Sequence, residues 1–166
     1  MLDRPISART RAPLYTAEQR VRRDKSRWTL VQGVLAPVQF LVFLISLALV
    51  IRYLTTGAGL ELATASIVLK TLVLYTIMIT GAIWEKVVFG KYLFADAFFW
   101  EDAFSMIVIA LHTFYLVLLL GGIGSPALQL TVALAGYAAY VINAGQFIWK
   151  LRLARLETAH IQGAAA

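Results

Sequence analysis

Trp28-Thr29-Leu30-Val31-Gln32-Gly33-Val34-Leu35-Ala36-Pro37-Val38-Gln39-Phe40-Leu41-Val42-Phe43-Leu44-Ile45-Ser46-Leu47-Ala48-Leu49-Val50-Ile51 runs without a charge between Arg27 and Arg52. A helix crossing a bilayer needs about 20 mostly apolar residues, so this run predicts a first span over about 28–51. Pro37 is compatible with it, because neighbouring helices or side chains can satisfy the carbonyl that proline frees. Thr55-Thr56-Gly57-Ala58-Gly59 makes a turn, and a second span follows over about 63–84, interrupted by Lys70 alone. Residues 103–149 are again uncharged, too long for one helix, and Gly121-Gly122-Ile123-Gly124-Ser125-Pro126 divides them. The third and fourth spans are therefore expected at about 103–120 and 127–149. Lys150, Arg152 and Arg155 are expected to end the last helix in water.

Composition agrees. Of 166 residues 60% are hydrophobic and 14% charged, against about a quarter charged in a soluble domain. The expected fold class is all-α, a polytopic integral membrane protein of four transmembrane helices with both termini cytoplasmic. Its parts are a basic N-terminal segment (1–27), the membrane domain (28–150) and a cytoplasmic tail (151–166). The orientation comes from the positive-inside rule. Arg4, Arg9, Arg11, Arg20, Arg22, Arg23, Lys25 and Arg27 precede the first span, Lys86 and Lys91 lie in the middle loop, and Lys150, Arg152 and Arg155 close the chain. Arg52 and Lys70 stand towards the other side, and Lys70 is expected to snorkel out of its helix end as a structural residue. Contact with anionic lipid accounts for the basic segment; nucleic acid is not expected as a partner, nor is a cleavable signal peptide. The absence of cysteine excludes disulfides, thiolate catalysis and iron–sulfur clusters.

The connection between spans two and three is the unusual segment. Trp84-Glu85-Lys86, Gly90-Lys91 and Phe98-Phe99-Trp100-Glu101-Asp102 put three carboxyl groups among aromatics at the ends of apolar runs. Each acid taken singly is accounted for as a helix boundary at the headgroup level. Together, Glu85 at the end of one helix and Glu101 at the start of the next share one depth, and a helix N-terminus favours acids. Carboxyls packed against Trp and Phe lose hydration, which favours the protonated form that a general acid needs. His112 follows Glu101 by eleven residues, so Glu101, Ser105, Val108 and His112 share a stripe, with His112 about 16 Å deeper by helical rise. An ionisable residue inside a span is a functional candidate: proton relay, substrate hydrogen bond, or axial contact to a metal-centred macrocycle. Gln32, Gln39 and Ser46 recur every seven residues and should look inward, as should Tyr140, Asn143 and Gln146 on the last helix and Thr71, Tyr75, Met78, Ala82 and Glu85 on the second. Singly, these are accounted for as interhelical hydrogen bonding.

There is no Gly-rich phosphate loop, no nucleophile elbow and no paired histidine motif; His160 lies in the tail. Acid–base chemistry on a substrate dissolved in the bilayer remains. A four-helix transporter would want an acid near the midplane rather than at the edge. A non-catalytic pigment-binding or assembly factor would share the same aromatics and His112.

The runs Arg27-Trp28-Thr29-Leu30-Val31-Gln32-Gly33-Val34-Leu35-Ala36-Pro37, Ile83-Trp84-Glu85-Lys86-Val87-Val88-Phe89-Gly90 and Phe98-Phe99-Trp100-Glu101-Asp102 resemble the 3-vinyl bacteriochlorophyllide hydratase family, BchF. Leu111-His112-Thr113 and Leu14-Tyr15-Thr16-x-Glu18-Gln19-Arg20 extend the likeness over most of the chain, from about Leu14 to Lys150. The resemblance implies hydration of the C3 vinyl group of chlorophyllide a, or a related chlorin, to a 1-hydroxyethyl group, the precursor of the 3-acetyl group of bacteriochlorophyll a. It implies no cofactor or added metal, since magnesium arrives within the substrate. It implies the inner membrane of a photosynthetic bacterium, with neighbouring bacteriochlorophyll-pathway enzymes as partners. On this chemistry Glu101 or Glu85 is the expected acid, with Asp102 or the other glutamate orienting water. Trp84, Trp100, Phe98 and Phe99 would stack on the ring and Lys86 or Lys91 meet its propionate. Gln39, Asn143 and Gln146 join the substrate-binding set, and His112 approaches magnesium or tunes the acid.

Overall fold

The computed structural model describes residues 13–164, with side chains from 13 to 156. Arg4, Arg9 and Arg11 of the basic segment lie outside the described residues. Among the described residues five helices follow one another: α1 Ala17–Lys25, α2 Arg27–Thr56, α3 Leu60–Phe89, α4 Phe99–Leu120 and α5 Pro126–Ala164. Four are long and apolar enough to cross a membrane, Arg27–Thr56, Leu60–Phe89, Phe99–Leu120 and the Pro126–Leu156 part of α5. The chain is an all-α, multi-pass membrane protein. Leu30, Leu41, Ile45, Leu62, Ile79 and Leu120 are among the large apolar side chains exposed on its outside, as a surface solvated by lipid requires.

The helix ends differ from those expected. α3 begins at Leu60 and continues through Trp84-Glu85-Lys86 to Phe89, and α4 begins at Phe99, not near Ala103. Glu85 near the end of α3 and Glu101 and Asp102 at the start of α4 therefore stand at helix ends, as expected, but within the helices. α5 does not end at Lys150 but continues to Ala164. Leaving the apolar layer does not break a helix, since backbone bonding continues in water and Gly163 is the first breaker after Lys150. A 30-residue helix is about 45 Å long, against a hydrocarbon layer of about 30 Å, so α2 and α3 project beyond it.

α1 was not expected. Thr16 and Gln19 cap it reciprocally, Gln19 N–H donating to Thr16 Oγ1 (3.2 Å) and Thr16 N–H to Gln19 Oε1 (2.9 Å). α2 and α3 form one tight hairpin, turned at Gly57 in the left-handed region (φ 71°); α4 and α5 form another, with Pro126 opening α5. The hairpins pack more thinly on each other, and α1 lies against α3. One end of the bundle carries α1, the 90–98 connection and the exit of α5; the other carries the two hairpin turns. Apolar packing gathers in two places. Phe43, Val50, Ile67, Val108, Tyr115, Tyr137 and Tyr140 belong to the mid-bundle cluster, and Tyr15, Val88 and Phe98 centre a second at the α1 end.

Candidate active site

At the α1 end, Glu85 on α3 and Glu101 and Asp102 in the first turn of α4 are all buried. The connection between them is shaped to meet them. Phe94 takes the left-handed conformation (φ 59°), rare for a bulky residue, and two successive N–H groups point inward from it. Phe94 N–H donates to Asp102 Oδ2 (2.7 Å) and Ala95 N–H to Glu85 Oε2 (3.3 Å). Glu85 and Asp102 stand close enough to interact with each other, and two buried carboxyl groups so placed cannot readily both be ionised. Lys150, reaching in from α5, donates to Glu101 Oε2 (2.6 Å) and to the Ala97 carbonyl. The Lys150 ammonium thus pairs with Glu101, while Asp102 and Glu85 are held by the backbone N–H groups of Phe94 and Ala95.

Aromatic rings wall this cluster. Trp84 meets Phe98 edge-on at 5.7 Å between ring centroids, Phe98 stacks on Phe147 at 5.9 Å, and Tyr15 stacks on Phe89 at 5.7 Å. Trp84 is fixed by its Nε1–H, which donates to Thr29 Oγ1 (2.9 Å), while the Thr29 hydroxyl donates to the Arg23 carbonyl (2.6 Å). Arg23 lies over the Tyr15 ring at 4.7 Å. Burial pushes the Tyr15 phenol above its ordinary range, against the pull of Arg23.

Of the expected ring-stacking residues, Trp84 and Phe98 stand in this wall. Phe99 (47% exposed) and Trp100 (67% exposed) turn outward, Phe99 against Phe94 and Trp100. Lys86 donates to the Gly90 carbonyl (2.9 Å) and lies over Tyr92. Lys91 pairs with Asp96 (3.3 Å) at the surface. A groove of about 610 Å³ opens beside the cluster, lined by Leu14, Gln19, Phe89, Lys91, Ala95, Ala97, Trp149 and Lys150 among others. Ala95, Ala97 and Lys150 belong to both the groove and the cluster: Ala95 N–H donates to Glu85, and Lys150 bonds Glu101 and the Ala97 carbonyl.

The α4 stripe is as expected: Glu101, Ser105, Val108 and His112 are all buried. α5 runs antiparallel beside it in matching register. Lys150 meets Glu101, Asn143 Nδ2 donates to Ser105 Oγ (2.8 Å), and His112 packs on Gly136, where an added Cβ would stand 2.9 Å from the imidazole Cε1. The Nδ1–H of His112 donates to the Val108 carbonyl (2.7 Å), leaving Nε2 as a bare acceptor. The heptad stripe on α2 also points inward, with Gln39 and Ser46 buried and Gln32 bonded to Thr80 Oγ1 (2.8 Å). Lys70 corrects the sequence expectation. It does not snorkel; it is fully buried, with Nζ 4.1 Å from the Tyr140 ring centroid. The longer α3 places it nearly three turns from the helix start, on the inward face.

The sequence model of the 2-vinyl bacteriochlorophyllide hydratase family (BCHF) matches residues 15–153. The chain belongs to this family. It is 70% identical over 144 residues to the 2-vinyl bacteriochlorophyllide hydratase of Cereibacter sphaeroides, covering 87% of this chain and 89% of that one. It is 65% identical over 150 residues to the protein of the same name from Rhodobacter capsulatus, covering 90% and 87%. No solved structure matches. The residues matched to the hydratase family run from Tyr15 past Lys150 and so include the whole cluster and its aromatic wall. Lys150, Phe147 and Tyr15 were not among the expected site residues. In the sequence Lys150 stands as a topology charge, although its place directly after the apolar run that ends in Trp149 is the mirror image of Trp84-Glu85.

Proposed function

We propose that the reaction, hydration of the vinyl group of a chlorin such as chlorophyllide a, takes place at the α1 end of the bundle. The vinyl numbered 2 in the relatives' name is the C3 vinyl of systematic ring numbering. The observation that carries this reading is the gathering of three buried carboxyl groups at one end of the bundle, Glu85 beside Asp102 and Glu101 ion-paired with Lys150; in this reading the first two share a proton. Vinyl hydration needs one group of each kind. The Glu85–Asp102 pair delivers its proton to the terminal vinyl carbon, which becomes a methyl group. The positive charge left on the inner carbon spreads into the macrocycle, where the buried carboxylates stabilise it. Water oxygen bonds to that carbon, and Glu101 accepts the proton that the water gives up. Transfer of that proton back to the Glu85–Asp102 pair resets the site.

The pigment lies in the groove with its ring along Phe89 and Trp149 and its propionate at Lys91. Trp84 and Phe98 act from behind, closing the acid cluster to bulk water. No cofactor takes part beyond the magnesium that the pigment brings. His112 carries the orientation of a metal-ligating histidine, with its other ring nitrogen on a backbone carbonyl. It stands about 16 Å from Glu101 by helical rise, further than a chlorin centre lies from its vinyl group, so a ring reacting at the carboxyls does not reach it. The α1 end faces the cytoplasm across the inner membrane, following its lysines and arginines, and the product passes to the next membrane enzyme of the pathway.

The test is a membrane assay with chlorophyllide a, followed by loss of the vinyl-conjugated absorption band and appearance of the hydroxyethyl product. In heavy water, deuterium should appear on the new methyl carbon. Retention of pigment without conversion would leave a binding protein in place of a hydratase.

A further inference from the structure

The middle of the bundle contains polar chemistry that the reaction above does not use. Five side chains, running from there towards the carboxyl end, present buried atoms with no protein partner: Gln39 (Nε2 and Oε1), Lys70 (Nζ), His112 (Nε2), Asn143 (Oδ1) and Gln146 (Oε1). They come from all four long helices. We propose that these groups form an internal hydration site, a cluster of bound waters that supplies the water consumed at the carboxyl end. The last clause rests on the hydratase reading; the site itself does not.

The donor and acceptor pattern selects the ligand. Lys70 can only donate, His112 Nε2 can only accept because Nδ1 holds the ring proton, Asn143 and Gln146 offer oxygens, and Gln39 offers both kinds. An anion would answer Lys70 and be repelled by the three acceptors. An apolar pigment would answer none except His112. Water donates and accepts at once, is small, and needs two to four polar partners of this sort. Leaving such groups unanswered inside a lipid-solvated bundle is costly. The site is also held in place. His112 is wedged against Gly136, and Lys70 and His112 approach the same Tyr137 ring, Nζ at 5.5 Å and the imidazole at 5.8 Å between centroids.

The site leads to the cluster. Asn143 gives its Nδ2–H to Ser105, one turn from Glu101, and Gln146 lies one turn before Lys150. A pigment seated in the groove lies against Ala95, Ala97 and Lys150, whose polar groups bond Glu85 and Glu101. Water held in the bundle reaches Glu101 from the interior, where the pigment does not exclude it.

The experiment uses the full chain in lipid nanodiscs and short X-ray pulses, which generate hydroxyl radicals from water wherever it is bound; side-chain oxidation is read by mass spectrometry. Tyr137 and Tyr140 should oxidise several-fold faster than Phe43, equally buried in the same cluster, after correction for intrinsic reactivity. Gln39→Leu and Lys70→Met should each bring that excess down. Tyrosine oxidation no faster than that of Phe43, or an excess unchanged in both variants, would overturn the site. For delivery, Gln39→Leu should lower kcat several-fold with KM for chlorophyllide unchanged. A variant that loses the labelling and keeps its kcat would overturn delivery alone. A wild-type chain that labels but does not convert pigment would refute the hydratase reading and leave the hydration site standing.

Discussion

At the α1 end of the bundle each carboxyl group is answered by the protein itself: Asp102 and Glu85 by two backbone N–H groups, Glu101 by Lys150. Deeper along the helices, His112 about 16 Å from Glu101 and Lys70 about 22 Å from Glu85 by helical rise, Gln39, Lys70 and His112 hold out atoms with no protein partner. The first region is built like the interior of a rigid enzyme site, where protons and charges are placed before the substrate arrives. The second is built for something small and exchangeable. On the proposed reading, the contrast assigns the two requirements of a hydration reaction, a fixed proton and a mobile water, to different layers of one bundle.

The largest expected effect breaks the first region. Glu85→Gln keeps the shape and a polar group beside Asp102 but removes a proton that can be delivered, so kcat should fall by about 10²- to 10⁴-fold, the usual worth of a general acid. Glu101→Gln should fall into the same range. Initial rates of hydroxyethyl product in membranes, normalised to folded protein, measure both. Near-normal rates in both variants would remove the acid–base assignment and shift attention to the deeper layer.

The layers were not equally legible in the sequence. Uncharged runs dictated the four spans because a charge inside lipid is expensive wherever the neighbouring helices lie. The Glu101–His112 stripe and the Gln39–Ser46 heptad were readable because helix periodicity is local. Helix ends were less so, since the boundary of the apolar layer and that of the helix are set by different forces, as Glu85 and Lys150 show. Phe98 to Asp102 could not all face one slot. Successive helical residues turn by about 100°, so burying Glu101 and Asp102 sends Phe99 and Trp100 outward. Lys70 was misjudged because the direction of a long side chain depends on the tyrosines of α5, some seventy residues away in sequence.

Next in size is the ion pair that ties α4 to α5. Lys150→Met leaves the Glu101 carboxylate buried without its cation, and removing one partner of a buried pair costs about 3–5 kcal/mol. Lys150 is itself partly exposed (23%), so the lower end is expected, read as a fall in unfolding free energy in a denaturing-detergent titration. Adding Glu101→Gln should restore much of the stability and none of the activity. Equal instability of the double and single variants would mean that Lys150 acts by packing on Phe98, over which it also lies.

In the deeper layer, Gly136→Ala sharpens the comparison. The new Cβ would fall 2.9 Å from His112 Cε1, and overpacking of this kind costs about 1–3 kcal/mol. His112→Asn in the same chain should relieve the loss, because the smaller side chain vacates the contact. If the two changes simply add, His112 is not seated on Gly136.

The smallest effect is expected at the Phe94 turn. A bulky L-residue in the left-handed region costs about 1–2 kcal/mol, and the structure places Phe94 there (φ 59°), where its N–H meets Asp102. Phe94→Gly removes that strain but frees the unfolded chain and gives up the ring packed on Phe99, so stability should move by no more than about 1 kcal/mol. The kinetic consequence separates two roles for the strain. If the turn serves only to close the chain, Phe94→Gly leaves kcat alone. If it holds the two N–H groups against the carboxyl pair, a looser turn lets the Glu85–Asp102 proton wander, and kcat falls while KM for the pigment, set by the groove, stays where it was.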